Sequence, residues 1–323
     1  MRLGRSSHPA SFGLGLLLLA VTFASCIYDY SECPSGRREF RVAFDWERSP
    51  QADVAGMTLY FYPLDEEGSI WRFDIAGRDG GQVELPFGRY TMIAFNNDLP
   101  GIRLEGTGSA STLQAAMQRS DVDNDSVYGS TGMLYKATVG KINVSPCGLN
   151  YSIRDEKPTE ARDGTISCQP DSLATQFDVR LRNVKGLESI RSARVILYGL
   201  RASMFLEDGH ASEIPAALGM GMSVDSAGSG LCGSVCGFKA SGAVGEDYAL
   251  KLLVVTADGT TLAKHITITS ANLNVITQHN VLITADNVEI PDHTQSGDIS
   301  GIGADVEGWE VVNIEVGPTI GNY

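Results

Sequence analysis

Phe40-Arg41-Val42-Ala43-Phe44-Asp45-Trp46 decides the fold class. Phe40, Val42, Phe44 and Trp46 are apolar at every second position, while Arg41 and Asp45 face the other way. Side chains alternate across a strand, so this pattern predicts a strand with one face in a core and one in water. Met57, Leu59 and Phe61 repeat the rhythm, then Trp71, Phe73 and Ile75 with Arg72 and Asp74 between them, then Val83 and Leu85, then Tyr90 to Phe95. Turn-formers separate the runs: Glu67-Gly68, Arg78-Asp79-Gly80-Gly81, Pro86-Phe87-Gly88 and Asn96-Asn97-Asp98. Short alternating runs between turns predict a β-sandwich or barrel.

Two features of this half read differently. Ser111 and Gln114 fit a capping box and Leu113, Ala116 and Met117 fall on one helical face, which predicts a short helix. Met133 to Val144 is the expected closing strand, and the polar stretch Pro146 to Pro170 is expected to be a linker or long loop. The period of two restarts at Phe177, Val179 and Leu181. A helical turn at Leu187 and Ile190 precedes a strand over Ala193 to Leu200, and Gly219 to Gly245 is expected to form loops around a short strand. Tyr248 to Val255 and Leu262 to Ile268 predict a hairpin joined at Asp258-Gly259. Val281, Ile283, Val288 and Ile290 continue the pattern, and a last strand carries Val312, Ile314 and Val316. The fold class is all-β.

The chain has 323 residues, a length that suits two domains. Its 36 Gly and 12 Pro supply the turns that short strands need. Lys plus Arg is 25 against 39 for Asp plus Glu, a net charge of −14. A nucleic-acid surface or an anionic-lipid surface needs clustered Lys and Arg, so that balance argues against both.

Arg2 and Arg5 precede an apolar run from Phe12 to Ala24, the length of a signal-peptide core and too short to cross a bilayer. No other run approaches that length, so no transmembrane helix is expected. The run ends Phe23-Ala24-Ser25-Cys26, which resembles a bacterial lipobox, with Phe23 where Leu is commonest. Residues 1–25 are therefore expected to be a lipoprotein signal peptide, with acyl chains on Cys26 as the membrane anchor. Residues 26–38 form a tether. Its opening, Ile27-Tyr28-Asp29-Tyr30-Ser31-Glu32, resembles the acidic surface-export signal of Bacteroides-type lipoproteins. The expected location is the outer membrane, lipid-anchored and facing outward.

Beyond Cys26 five Cys remain, an odd number. The nearest candidates for disulfides are Cys232 with Cys236 and Cys147 with Cys168; idle thiols are the other reading. Cys232 and Cys236 have half a zinc spacing with no second pair to complete it. His210, His265, His279 and His293 are scattered outside any catalytic motif. Asp121-Val122-Asp123-Asn124-Asp125 opens like a calcium loop, yet Ser126 stands at the sixth place and Gly132 at the twelfth. Gly233-Ser234-Val235-Cys236-Gly237 misses the nucleophile-elbow register. Asp171-Ser172-Leu173 and Asp225-Ser226-Ala227 resemble O-glycosylation sites of Bacteroides-type secreted proteins. Trp46, Tyr60, Tyr62, Trp71 and Phe73 have the chemistry to stack on a glycan, although most of them are expected to be core or cross-strand packing. No catalytic residues, metal or cofactor are expected.

The run quoted first, with Gly56-Met57-Thr58-Leu59-Tyr60-Phe61-Tyr62-Pro63, Phe73 to Gly81 and Ala94 to Asp98, resembles a lipoprotein family of the Bacteroides group. Arg182-Asn183-Val184-Lys185-Gly186-Leu187, Leu197-Tyr198-Gly199-Leu200 and Asp305-Val306-Glu307-Gly308-Trp309-Glu310 resemble fimbrillin-anchoring proteins of the FimB type. This resemblance implies two transthyretin-like β-sandwich domains in tandem, over 39–165 and 170–323. It also implies a non-enzymatic role as a fimbria anchor, accessory or adhesion component. The implied partner is a fimbrial subunit protein held by strand addition beside Val306 to Val316, with Trp309 a packing anchor. A lipoprotein binding glycans or other nutrients is the alternative.

Lipidation has a direct consequence. Metabolic labelling with a fatty-acid probe should mark the wild-type protein and spare Cys26→Ser, which should also leave the membrane fraction; equal labelling of the two proteins would refute the assignment.

Overall fold

A computed structural model describes residues 36–65, 67–99, 101–120, 127–153, 157–240, 248–291 and 308–312. Cys26 and the rest of the leader, the calcium-like run at 121–125 and His293 lie outside the described residues. The described chain is all-β, its only helices being single 3-10 turns. Among the described residues no helix is long and apolar enough to cross a membrane.

The first half contains β1 (Arg37–Phe44), β2 (Gly56–Pro63), β3 (Trp71–Ala76), β4 (Gly80–Pro86), β5 (Gly88–Asn96), β6 (Ile102–Glu105), β7 (Gln114–Met117), β8 (Arg119–Ser120), β9 (Val127–Tyr128) and β10 (Tyr135–Ser145). The chain continues through β11 (Gly148–Ser152), β12 (Thr159–Glu160), β13 (Thr165–Cys168) and β14 (Asp171–Ser172). A sheet in the order β13-β1-β4 packs on one in the order β12-β11-β10-β5-β2-β3. Phe40, Val42, Val83, Leu85 and Ile166 from the first meet Met57, Leu59, Phe61, Met92, Val139 and Ile142 from the second in one core. Phe40 and Phe61 cross the layers edge to face, with ring centroids 6.1 Å apart. Fully burying each such side chain contributes about 1.5–3 kcal/mol.

The linker expected at Pro146 to Pro170 is instead structural. β11 turns back on β10, and β13 runs parallel to β1 from Arg41↔Thr165 to Phe44↔Cys168. Polar composition hid these strands because they lie at sheet margins, where Leu149, Ile166 and Cys168 are their only buried apolar residues. The helix expected at Ser111 to Met117 is likewise a strand. Only Ala110–Thr112 forms a 3-10 turn, with Ser109 as its cap. Leu113, Ala115 and Met117 then alternate inward, and β7 pairs with a strand of the second half. Tertiary pairing has overridden a local helix signal.

The second half contains β15 (Thr175–Arg182), β16 (Ile190–Arg201), β17 (Ser203–Phe205), β18 (Pro215–Val224), β19 (Leu231–Lys239), β20 (Ala249–Thr256), β21 (Thr261–Thr267), β22 (Leu273–Thr277), β23 (Asn280–Asp286) and β24 (Trp309–Val311). The 3-10 turn Leu187–Ser189 and the β20–β21 hairpin, with Gly259 at φ +91°, match the sequence reading. Gly219 to Gly245 does not, because β18 and β19 are full strands in the middle of the sheet. Gly233 serves close approach: a Cβ there would meet the Gly221 carbonyl oxygen at 2.8 Å. The strand path runs β22-β23-β15-β19-β18-β16-β20-β21-β24.

The two halves are built into each other. β6, β7 and β17 form one three-stranded sheet, and β9 runs parallel to β18. β2 and β5 are buried on both faces. Tyr60, Tyr62, Ile93 and Phe95 point away from the first core into a cluster with Leu113, Met117, Met204 and Leu206. Lys136 donates from Nζ to the carbonyls of Leu206 and Glu207 at 2.9 and 2.8 Å.

The four described cysteines are free thiols, contrary to the disulfide expectation. Cys232 and Cys236 stand four residues apart in extended β19, about 13 Å at ~3.3 Å per residue, beyond the reach of a disulfide. Cys147 is exposed in the β10–β11 turn, whereas Cys168 is buried in β13 and its thiol contacts the Ala43 carbonyl. Burial pushes the Cys168 thiol up to about 12, so it is neutral at pH 7. A thiol-alkylating reagent applied to the native protein should therefore modify Cys147 rapidly and Cys168 only after denaturation, as read by peptide mass spectrometry. Thiols that become reactive only after a reductant is added would restore the disulfide reading.

Candidate functional site

The second sandwich closes on two edges. Strand β24 is one, paired antiparallel with β21 over Leu262↔Val311, Ala263↔Glu310 and Lys264↔Trp309. Trp309 is 2% exposed and joins the core of the second half. Its indole Nε1 donates to the Glu289 carbonyl at 2.8 Å, and the Lys264 ammonium lies 5.4 Å from the ring centroid. Trp309 is thus a packing anchor, as its sequence context suggested. It ties the last described strand to the chain that leaves β23.

Beside this anchor the parallel strands β15 and β23 end together. The Arg182 guanidinium donates to both carboxylate oxygens of Asp286 at 2.7 and 2.8 Å. Asn183 and Asn287 follow, both left-handed at φ 54° and 59°. Asn tolerates that region better than other residues with a Cβ, so both strands break at the same level. Lys185 and Glu289 complete the ladder at 3.4 Å. Asn183, Lys185, Asn287 and Glu289, with Val184, Val288 and Ser229, line a shallow hollow of about 370 Å³.

The opposite edge is β22, which pairs only with β23 among the described residues. A 3-10 turn, Ser270–Asn272, leads into it, and Asn272 locks the entry by donating from Nδ2 to the Thr284 carbonyl at 2.9 Å. Leu273 and Val275 stand opposite Ile283 and Val281, so they share the core face of the sheet. Ile283 and Val281 are buried, yet Val275 is 50% exposed and Ile276 54% exposed.

The remaining sequence candidates do not converge. His210 is exposed, 2.6 Å from Asp208 through Nδ1 and stacked on Phe205. His265 is exposed on β21. His279 sits in the β22–β23 turn, 3.6 Å from Asp171, and burial lowers its pKa while Asp171 opposes that shift. Each lies on a different element, and no group of three His, Cys, Asp or Glu able to hold a metal occurs among the described residues. Cys236 is pushed up to about 11, first by burial and then by Asp178. Ser172 is buried with its hydroxyl donating to the Ala174 carbonyl, while Ser226 is exposed in a turn.

The aromatic residues that suggested glycan stacking are committed elsewhere. Trp46 is buried, donates to the Arg78 carbonyl at 2.7 Å and carries the Arg78 guanidinium 4.9 Å from its ring. Tyr60 lies stacked between Tyr62 and Phe95 in the junction. Trp71 is half-buried beneath Arg37, at 4.7 Å, and Phe73 packs on Phe61. No open aromatic platform forms from these five.

A protein family described as a domain of unknown function (DUF5119) matches residues 26–220. The chain belongs to that family. Among solved structures, a candidate adhesin from Bacteroides ovatus shares the fold over 90% of this chain and 98% of its own, with a TM-score of 0.57 at 17% identity. The fimbrial anchor protein Mfa2 from Porphyromonas gingivalis covers 77% of this chain and 90% of its own, with a TM-score of 0.49 at 14% identity. A candidate polysaccharide-binding protein from Bacteroides thetaiotaomicron covers 77% and 91%, with a TM-score of 0.48 at 12% identity. No curated protein matches the sequence.

The anchoring role of Trp309 has a measurable cost. Trp309→Ala should lose roughly 3–5 kcal/mol in urea unfolding, because it empties a core site and orphans the Glu289 carbonyl. Val311→Ala, at an exposed position of the same strand, should stay within about 0.5 kcal/mol of wild type. Equal effects would show that β24 is not held by its Trp.

Proposed function

We propose that this protein is a non-enzymatic surface lipoprotein acting in adhesion or in fimbria attachment. Acyl chains on Cys26 hold it in the outer membrane. The second sandwich holds a partner, a fimbrial subunit in the FimB-type version of this role, by adding a strand beside its C-terminal edge. The observation that carries the reading is the fold shared with the candidate adhesin over nearly the full length of both chains.

Physical features of the second sandwich support an interaction role. Exposed strand edges present unpaired N–H and C=O groups, and an added strand gains affinity from those backbone bonds and specificity from alternate side chains. β24 covers only Leu262 to Lys264 of the seven-residue β21, leaving His265 to Thr267 without a strand partner on that side among the described residues. Stacking on a glycan finds no such support, since Trp46, Tyr60 and Tyr62 are buried.

The test is deletion of the gene in the organism that makes the protein, scored for fimbriae on cells and in the medium and for cell attachment. Loss should leave fimbriae shed or abnormally long, or attachment reduced. Wild type should restore the phenotype and Cys26→Ser should not. Unchanged fimbriae and unchanged attachment in the deletion strain would reject the proposal.

A further inference from the structure

From His265 to Ala285 the chain contains no Asp, Glu, Lys or Arg, the longest such run after Cys26 in a protein of net charge −14. That run contains the whole of β22, the edge strand whose outer side no described strand covers. Solvent-facing edges ordinarily carry Lys, Pro or an inward charge to block pairing with another chain. β22 has none of these; its one irregularity is the bulge between Val275 and Thr277. That bulge leaves Leu273, Asn274 and Val275 as a regular edge with its backbone open.

We propose that β22 is a homotypic contact, pairing antiparallel with β22 of a second copy of this chain. The occupant follows from charge. Two copies of a strongly acidic protein repel wherever their ordinary surfaces meet, so a stable contact needs a strip that places no carboxylate against another. β22 is that strip, and it brings identical neutral edges together across a two-fold axis. With the axis through Asn274, Leu273 of each copy stands opposite Val275 of the other, on the face continuous with Val281 and Ile283. Each Val275, 50% exposed in the single chain, is then covered, and the bulge at Ile276 falls outside the paired segment. Asn274, exposed on the opposite face, meets its own copy. The contact is small, so its affinity in solution is modest; copies tethered to one membrane meet at a raised effective concentration. This pairing does not depend on which partner the β24 side holds.

The experiment is sedimentation equilibrium on residues 26–323 carrying Cys26→Ser, so that lipid cannot drive association. Wild-type β22 should give a monomer–dimer equilibrium with a Kd in the roughly 10–1,000 μM range of sub-standard interfaces. Added salt should strengthen it, because screening relieves acid–acid repulsion. Asn274→Asp and Asn274→Lys should each weaken the dimer roughly fivefold, since each places like charges directly opposite. An equimolar mixture of the two should recover it. Both changes are at an exposed position, and matching far-UV spectra and melting temperatures will show that both variants fold. A monomer throughout that range, unchanged dimerisation in both variants, or no recovery on mixing overturns the proposal. An extended segment of a different protein is then the occupant left for the edge, to be sought by mixing with purified candidate subunits.

Discussion

Parallel pairing of Thr175–Arg182 with Asn280–Asp286 is the constraint on which the second half depends. The two strands are 104 residues apart along the chain where Arg182 meets Asp286, so the pairing must offset the entropy of closing a long loop. The ion pairs along it are exposed and contribute little by themselves. The stabilisation comes from the other face, where Phe177, Val179, Leu181, Val281 and Ile283 are all buried. Everything at the sandwich's open side is referred to this pair. β22 hangs on β23, and the acceptor for Trp309 is the Glu289 carbonyl just past its end.

The first half depends on the second through a shared sheet. β2 and β5 supply Met57, Leu59, Phe61 and Met92 to one core and Tyr60, Tyr62, Ile93 and Phe95 to another. A sheet used on both faces cannot slip by one residue without sending aromatic rings the wrong way. β7 paired with β17, and β9 paired with β18, tie the same region through the backbone. The halves are therefore joined both by side-chain packing and by backbone pairing.

Alternation in the sequence was enough to identify the strands around Phe40 and Phe177, since each has one clear buried face. It was not enough where pairing, and not side-chain pattern, defines the strand. Gln114–Met117 carries a helix signal that its partner Ser203–Phe205 overrides, and β19 carries Gly233, whose close approach to the Gly221 carbonyl no local pattern announces. The junction did leave a trace: Tyr60, Tyr62, Ile93 and Phe95 occupy the positions where a one-sided sheet would place polar residues. Trp309 was legible as an anchor from its residue type, but its acceptor is a main-chain carbonyl that no motif encodes. The edge of β22 was invisible because edge status is a property of strand order.

The two open edges of the second sandwich differ in the property that governs what each can accept. On the β24 side, Lys264 stands opposite Trp309 and Glu310 opposite Ala263, and the strand that carries Glu310 is itself anchored by that buried Trp. Charge, short length and cover are the usual guards against unwanted pairing. The β22 side has only a bulge, and the side chain left half-covered there, Val275, belongs to the core face. An acidic protein that leaves one edge neutral has removed the penalty for bringing acidic surfaces close at that single place. Selectivity at β22 then follows from exclusion: a strand bearing carboxylates meets the surrounding negative field, whereas a neutral β-branched strand meets only open backbone and an uncovered valine. β22 itself is neutral and β-branched, and so meets those conditions.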